Sequence, residues 1–206
     1  MRENEKLLIQ GIEKIGLPYT PSRIASFIVY LEELKKWNKA YNLTGLRNDS
    51  DIIIKNFLDS LMFCRILPDN VRSVADIGSG AGFPGIPIKI MNQELRVVLV
   101  EPTGKKALFL RHICSRLGLK DLEILNQRVE DVKGISVDAA VTRALFTVGE
   151  FVKKSAHILN KNGVLVLSKG PKIREELVGL ETMNISVVDM VLPYDQALRH
   201  LVLVRK

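Results

Sequence analysis

Val74-Ala75-Asp76-Ile77-Gly78-Ser79-Gly80-Ala81-Gly82-Phe83-Pro84-Gly85 is an apolar run that breaks into a glycine-rich turn. Ser73–Ile77 reads as a buried strand. The glycines let the backbone turn sharply and approach a ligand closely before a helix opens. The dinucleotide fingerprint is GxGxxG with an acidic residue about 20 positions on. Here the frame is Asp76-x-Gly78-x-Gly80-x-Gly82, and Phe83 stands at the third fingerprint position. A pyrophosphate on a helix N-terminus fits this poorly, which disfavours an NAD-linked oxidoreductase. A loop that wraps a ligand without phosphates fits better. S-adenosyl-L-methionine, with a cationic sulfonium, an adenosine and an amino-acid tail, is such a ligand. Asp76 is placed to meet the ammonium of the tail or a water bound there. Glu101 ends the second strand, where a carboxylate accepts two hydrogen bonds from a ribose diol. A structural glycine turn beside a surface Glu is the plainer alternative.

Working outward, Val97–Val100, Leu122–Leu125, Ala139–Val141 and Val164–Leu167 are short apolar runs separated by helical stretches. That pattern predicts βαβ units and a parallel sheet buried on both faces. The helix at Lys105–Leu117 has Thr103 as a cap, Leu110, Ile113, Cys114 and Leu117 facing inward, and Gly118 at its end. Ile185–Leu192 and Leu201–Val204 have too short a connection for a crossover helix, so they form an antiparallel pair. The first ~65 residues read as helices. Thr20-Pro21 starts one, and Ile24, Phe27, Ile28, Leu31 and Leu34 give it a single apolar face. Asn48, Asp49 and Ser50 offer caps for the next, in which Ile53, Phe57, Ser60, Leu61 and Cys64 share a face until Pro68 stops it. The fold class is therefore α/β: a mostly parallel sheet with an antiparallel C-terminal strand, plus an N-terminal helical extension. The division expected is 1–68 and 69–206, packed as one compact unit.

The chain has 206 residues, 47% hydrophobic and 26% charged, a globular balance. No apolar run approaches the ~18–20 residues of a membrane span. The segment from Met1 to Lys14 lacks the h-region of a secretory signal. Cys64 and Cys114 are far apart, so a disulfide framework and a cysteine zinc site are excluded and a reducing cytoplasm is expected. Both read as core residues. His112, His157 and His200 are scattered, and no cluster has metal-ligand spacing, so no metal is expected. The net charge of +7 hints at a polyanionic partner.

Ligands of open α/β sheets sit at the carboxyl edge, so the later strand ends matter. Asn126-Gln127-Arg128-Val129-Glu130 follows the third strand and flanks the adenine in folds that bind S-adenosylmethionine. Val129 and Glu130 are expected to form one wall, and a helix-start Glu favoured by the dipole is the alternative for Glu130. Val141-Thr142-Arg143-Ala144 follows the fourth strand and faces the methyl group. An Arg there needs a polar partner. Either it pairs with a nearby carboxylate, or it contacts substrate phosphate, a guanine edge or the cofactor carboxylate. No Asn/Asp-Pro-Pro-aromatic loop occurs, which argues against exocyclic adenine methylation. Neither cysteine is placed for attack on cytosine C5.

Trp37-Asn38-Lys39-Ala40-Tyr41-Asn42-Leu43-Thr44, Phe57-Leu58-Asp59-Ser60 and the Asp76–Gly85 loop resemble a known family. So do Lys105-Lys106 with Phe109-Leu110-Arg111, Arg128-Val129-Glu130, Thr142-Arg143-Ala144, Ser168-Lys169-Gly170 and Arg199-His200-Leu201. In that order they are similar to the bacterial 16S rRNA guanine-N7 methyltransferase G family, also called glucose-inhibited division protein B. The resemblance covers nearly the whole chain. It implies a Rossmann-like class I methyltransferase sheet with an N-terminal helical extension. It also implies methyl transfer from S-adenosyl-L-methionine to N7 of one guanosine in the 530 loop of 16S rRNA, free or within the small subunit. Carried over by position, the cofactor residues are Gly78, Phe83, Val129, Glu130 and Arg143, with Glu101, Pro102 and Thr103 near the ribose; Asp76 and Gly80 join them from the loop. The family usually has His where this chain has Asn56, so a proton-transfer role is not expected there, while hydrogen bonding survives.

Guanine N7 carries a lone pair and no proton, so the reaction needs no general base. Catalysis is then mainly positioning, worth up to ~7–11 kcal/mol when reacting atoms are held in line. Arg143, Asp59 and Asn56 are the catalytic candidates, with Asp59 as a counter-charge to the methylated base. RNA contacts are expected from Lys39, Arg47, Lys169, Lys172 and Arg199, joined by Lys35 and Lys36, with Trp37 and Tyr41 either stacking on bases or packing the extension. A monomer is expected. The alternatives are a methyltransferase of another nucleic-acid position or a small molecule, and a non-catalytic RNA-binding assembly factor. A cationic cofactor calls for Asp76 and Glu101, so the excess of Lys and Arg belongs to the rim and outer faces.

Overall fold

The computed structural model describes residues 2–143 and 145–205; Ala144, at the end of the Thr142-Arg143-Ala144 match, lies outside them, as do Met1 and Lys206. Seven strands form one sheet: β1 Ser73–Ile77, β2 Arg96–Val100, β3 Leu122–Leu125, β4 Val137–Arg143, β5 Leu159–Lys169, β6 Asn184–Val191 and β7 Leu198–Arg205. Their order is β3-β2-β1-β4-β5-β7-β6. The first five are parallel, and β7 runs antiparallel to both β5 and β6. The expected hairpin is present, with β7 starting three residues before the apolar run because Leu198–His200 pair with Asp189–Val191. Strands β4 and β5 likewise extend past their apolar centres.

Side chains alternate across the sheet with period two. Val74, Val97, Leu99 and Val141 share one core with Leu8, Phe27, Leu34 and Phe57 of the helical extension. Ala75, Ile77, Val98, Val100 and Ala140 form the second core, with Val148 and Phe151. Residues before Val71 thus complete one face of the sheet. The helices are α1 Glu3–Ile15, α2 Pro21–Tyr41, α3 Asp49–Ile52, α4 Asp59–Leu61, α5 Gly85–Met91, α6 Gly104–Arg116, α7 Val148–Ser155 and α8 Ile173–Glu176. None among the described residues is long and apolar enough to cross a membrane.

Helix α2 starts as its sequence dictates: the Thr20 hydroxyl accepts from Arg23 N–H at 3.3 Å, and Pro21 takes the first position. Its middle carries Tyr30, whose hydroxyl donates to the Ala81 carbonyl in the glycine loop. The Tyr30 ring lies 5.3 Å from Phe83 and 5.2 Å from Phe57, so one aromatic cluster ties extension to loop. Glu33 meets His112 of α6 at 2.6 Å. Trp37 is half-buried, stacked on Tyr41 and 4.8 Å from the His112 ring, which places it in the packing of α2 on α6.

Between α3 and α4 the chain departs from the single helix read in the sequence. Ile53–Leu58 is a π-helical segment, wider than the α turns around it. Segments of this kind insert extra residues into a helix and recur at functional sites. Here it turns Asn56 and Asp59, both buried, towards the end of β4.

Candidate active site

The strand order reverses between β1 and β4, and the loops after β1, β2, β3 and β4 converge at that switch point, where open α/β sheets bind ligands. Gly78 (φ 71°), Gly80 (φ 60°) and Gly82 (φ 101°) all adopt left-handed backbone, so the turn after β1 is one that only glycines make without strain. Gly78 N–H donates to Val100 O at 2.8 Å and locks the turn to β2. A Cβ on Gly80 would meet nothing nearer than Gly78 O at 3.9 Å, so space is open above the loop.

Two buried carboxylates face this loop. Asp76 Oδ2 accepts from Gly85 N–H at 2.7 Å, while Oδ1 is buried with no partner, as is Ser79 Oγ. Burial pushes the Asp76 carboxyl up to about 7, against the pull of the Gly85 N–H and the Arg143 charge. Glu101 Oε2 accepts from Gly80 N–H and Oε1 from Thr103 N–H, each at 2.8 Å. Two bonds leave a carboxylate with lone pairs for a diol. Thr103 was expected to cap α6; it stands at the cap, but its side chain makes no capping bond. Its N–H is drawn to Glu101 instead.

A cavity of about 170 Å³ opens at these strand ends, lined by Gly78, Val100, Pro102, Val129, Leu145 and Phe146 among others. Val129 is buried in the wall, and Glu130 lines the cavity beside Lys154, whose ion pair with its carboxylate lowers its pKa. Leu145 and Phe146 were missed by sequence reasoning; their position just past the fourth strand end was the available signal. A larger cleft of about 250 Å³ with a mixed lining, including Leu17, Arg23, Asp69 and Ile88, sits where β1 and β2 begin, away from the glycine loop.

Arg143 ends β4 among three acceptors from one segment of the extension. It donates through Nη1 to Lys55 O at 2.8 Å and Asp59 Oδ2 at 3.1 Å, and through Nη2 to Asn56 Oδ1 at 2.8 Å. A guanidinium has no acceptor, so this contact fixes the Asn56 amide with its NH2 pointing away, and that nitrogen is buried without a partner. The guanidinium lies 5.4 Å from the Phe83 ring. Arg199 Nε reaches Asp59 Oδ1 at 2.6 Å. Asn56, Asp59, Phe83, Arg143 and Arg199 are therefore one assembly, made from four separate stretches of chain.

Of the expected RNA-contacting residues, Lys39, Arg47 and Lys172 are exposed. Arg199 and Lys169 are engaged internally: Arg199 on Asp59, and Lys169 on Glu176 at 2.8 Å and on Phe146 O at 2.7 Å. Sequence position placed both at the strand ends, where acceptors on neighbouring elements hold them.

A seven-stranded sheet in this order, with an antiparallel seventh strand and a glycine turn facing an acidic residue at the next strand end, is a methyltransferase of the Rossmann-like class I. Solved structures agree on the fold. A ribosomal protein L11 methylase from Lactobacillus delbrueckii subsp. bulgaricus superimposes with a TM-score of 0.57 at 18% identity, covering 79% of this chain and 81% of that one. M. jannaschii TYW2, solved in complex with AdoMet, gives 0.54 at 17% identity over 73% and 74%. The chain belongs to the rRNA small subunit methyltransferase G family, whose model matches residues 23–202. The ribosomal RNA small subunit methyltransferase G of Nitrosospira multiformis is 37% identical over 97% of this chain and 96% of its own length. That of Polynucleobacter asymbioticus is 34% identical over 94% and 88%.

Proposed function

We propose that the protein uses S-adenosyl-L-methionine to methylate N7 of a guanosine in the 530 loop of 16S rRNA, acting in the cytoplasm as a monomer. The observation that carries this reading is the junction of two features in a chain of this family. A glycine turn with buried Asp76 and Glu101 adjoins a cluster built on Arg143. The cofactor supplies a methyl group on a positively charged sulfur. A cationic ligand suits carboxylates that are hydrogen-bonded by backbone N–H groups alone, as Asp76 and Glu101 are. In this reading Asp76 Oδ1 takes the ammonium, and Gly78, Gly80 and Phe83 shape the wall beside it. Glu101 holds the ribose, with Pro102 and Thr103 next to it, and Val129 and the Glu130 backbone flank the adenine.

Guanine N7 has no proton to lose, so the chain's own residues orient rather than abstract. Three of the five N–H donors of Arg143 are engaged by internal acceptors. The others remain for the guanine edge or the cofactor carboxylate. Asp59 holds Arg143 in place, since each of its oxygens is already taken by an arginine. Lys39, Arg47 and Lys172 meet phosphates at the rim.

The test is to incubate the protein with labelled S-adenosyl-L-methionine and either naked 16S rRNA or small subunits, then map the label by mass analysis or primer extension. One 7-methylguanosine in the 530 loop is expected. Label on another position, or RNA binding without transfer, would overturn the reading in favour of another substrate or an assembly factor.

A further inference from the structure

We propose that the exposed stripe of α6, extended by Lys36 and Lys39 of α2, is the track along which the backbone of the RNA substrate leaves the active-site cleft. The inference rests on the reading of an RNA substrate. Helix α6 carries Lys105, Lys106, Arg111 and Arg116 and no acidic residue. Among the described residues none of these four forms an ion pair, whereas Lys35, Lys55, Lys154, Lys169, Arg143 and Arg199 all do. Lys105, Leu108, Arg111 and Arg116 are exposed along one side of the helix, and Leu108 is 47% accessible between the charges.

The helix is built against its own electrostatics. Lys105 and Lys106 lie in the first turn, where the helix dipole favours acids, and the Thr103 side chain does not cap it. Sites that break local rules in this way are where function is expected. An external anion along the stripe would relieve the conflict.

The stripe also starts and ends in the right places. Its first residues follow directly on Thr103, which bonds Glu101 beside the glycine loop. At its far end Arg116 and Lys36 both act on Glu33, whose own charge is met by His112. Cations of α6 and α2 therefore converge on Glu33, where the half-buried Trp37 ring of α2 lies 4.8 Å from His112 of α6. From Lys105 to Arg116 the stripe spans roughly 16 Å of helix. A single phosphate or lipid headgroup needs only one end of it, whereas a nucleic-acid backbone presents a row of charges.

The test compares two double variants that remove equal charge. Lys105→Gln with Arg111→Gln alters the stripe, and Lys133→Gln with Lys161→Gln removes two exposed lysines elsewhere. Glutamine keeps helix propensity close to that of Lys and Arg. Binding of 16S rRNA is measured from about 0.05 to 0.2 M salt, with calorimetric binding of S-adenosyl-L-methionine as the folding control. The stripe variant is expected to bind RNA at least tenfold more weakly at about 0.1 M salt, with a slope against log salt shallower by roughly 1 to 2. The remote variant should keep the wild-type slope, and both should bind the cofactor normally. Wild-type RNA affinity in the stripe variant, or equal losses in the two variants, overturns the track. Methylation by the wild-type protein is scored separately. If it is missing while the stripe variant alone loses RNA binding, the track stands and the reading of the reaction fails.

Discussion

Asp59 and Arg199 are 140 residues apart in sequence, and their side chains meet at 2.6 Å, Arg199 Nε donating to Asp59 Oδ1. The second oxygen of the same carboxylate accepts from Arg143 at 3.1 Å. One buried side chain from the extension thus fastens the end of β4 and the start of β7. Two guanidiniums share one carboxylate, so the cluster keeps a net positive charge. The two arginine side chains are 21% and 24% accessible, against 5% for the aspartate between them. The charge is presented outward while the anchor stays inside.

Asp59→Asn should therefore weaken both stability and turnover. The amide offers one oxygen and no charge, so one arginine loses its acceptor. Breaking a buried pair costs roughly 3–5 kcal/mol. Partial exposure of both arginines lets water take over some of the loss, and about 2 kcal/mol by denaturant unfolding is expected. Methyl transfer should fall at least tenfold, about 1.4 kcal/mol of barrier, while cofactor affinity changes little. Turnover at the wild-type rate would show that Arg143 does not need its anchor.

Arg143→Ala should lower methyl transfer at least tenfold, again about 1.4 kcal/mol, and Arg143→Lys should not restore it. The guanidinium bonds Lys55 O, Asn56 Oδ1 and Asp59 Oδ2 at once because its donors are fixed in a planar fork. An ammonium at the end of a flexible stem cannot hold that geometry. Recovery with Lys in a single-turnover assay would mean that charge alone is required.

Two glycines of the same loop should fail in different ways. At Gly85 an added Cβ would lie 2.5 Å from Leu99 Cδ2 and 2.8 Å from Asp76 Oδ2. Gly85→Ala should then destabilise the fold by roughly 1–3 kcal/mol, the usual cost of overpacking, seen as a lower denaturation midpoint. At Gly78 the nearest contact is Leu145 Cδ2 at 2.2 Å, an exposed side chain that can swing away, but φ is 71°. Gly78→Val should fold less stably and lose S-adenosyl-L-methionine binding, because a branched side chain is strained there and projects into the cleft. Retained cofactor binding by Gly78→Val would remove the loop from the binding site.

The strands and the glycine turn were legible because each rests on local chemistry: apolar runs of strand length, a hydroxyl before Pro21, glycines at left-handed positions. The Arg143 cluster was legible only in part. Asn56, Asp59 and Arg143 stand out as polar residues in apolar surroundings. Their meeting, however, depends on the π-helical segment at Ile53–Leu58, which no periodicity in the sequence announces. The partners of Arg199 and Lys169 were hidden because other elements bring them in, Asp59 from the extension and Glu176 from α8. A lysine at a strand end looks available until Glu176 of α8 folds over it at 2.8 Å. Glu130 shows the same limit: at the cavity its carboxylate is paired with Lys154 of α7, a partner its place after the third strand does not reveal.

Cofactor binding should strengthen as pH rises towards neutrality. Burial raises the Asp76 carboxyl to about 7, with Glu101 pushing the same way and the Gly85 N–H and Arg143 opposing. Between the ordinary carboxylate range and that value, the folded protein holds a proton that the unfolded chain has released. Stability without ligand therefore declines as pH rises through this window. A cationic ligand reverses the preference, because it favours the ionised carboxylate and expels the proton. Calorimetric titration with S-adenosyl-L-methionine at about pH 5.5, 6.5 and 7.5 should show rising affinity. Repeating it in buffers of different ionisation enthalpy should reveal proton release on binding. Asp76→Asn cannot ionise, so its affinity should be lower at neutral pH and nearly flat across the range. A wild-type profile as flat as that of Asp76→Asn would mean that the unpartnered Oδ1 does not face the ligand's charge. The ammonium would then have to be held elsewhere in the loop.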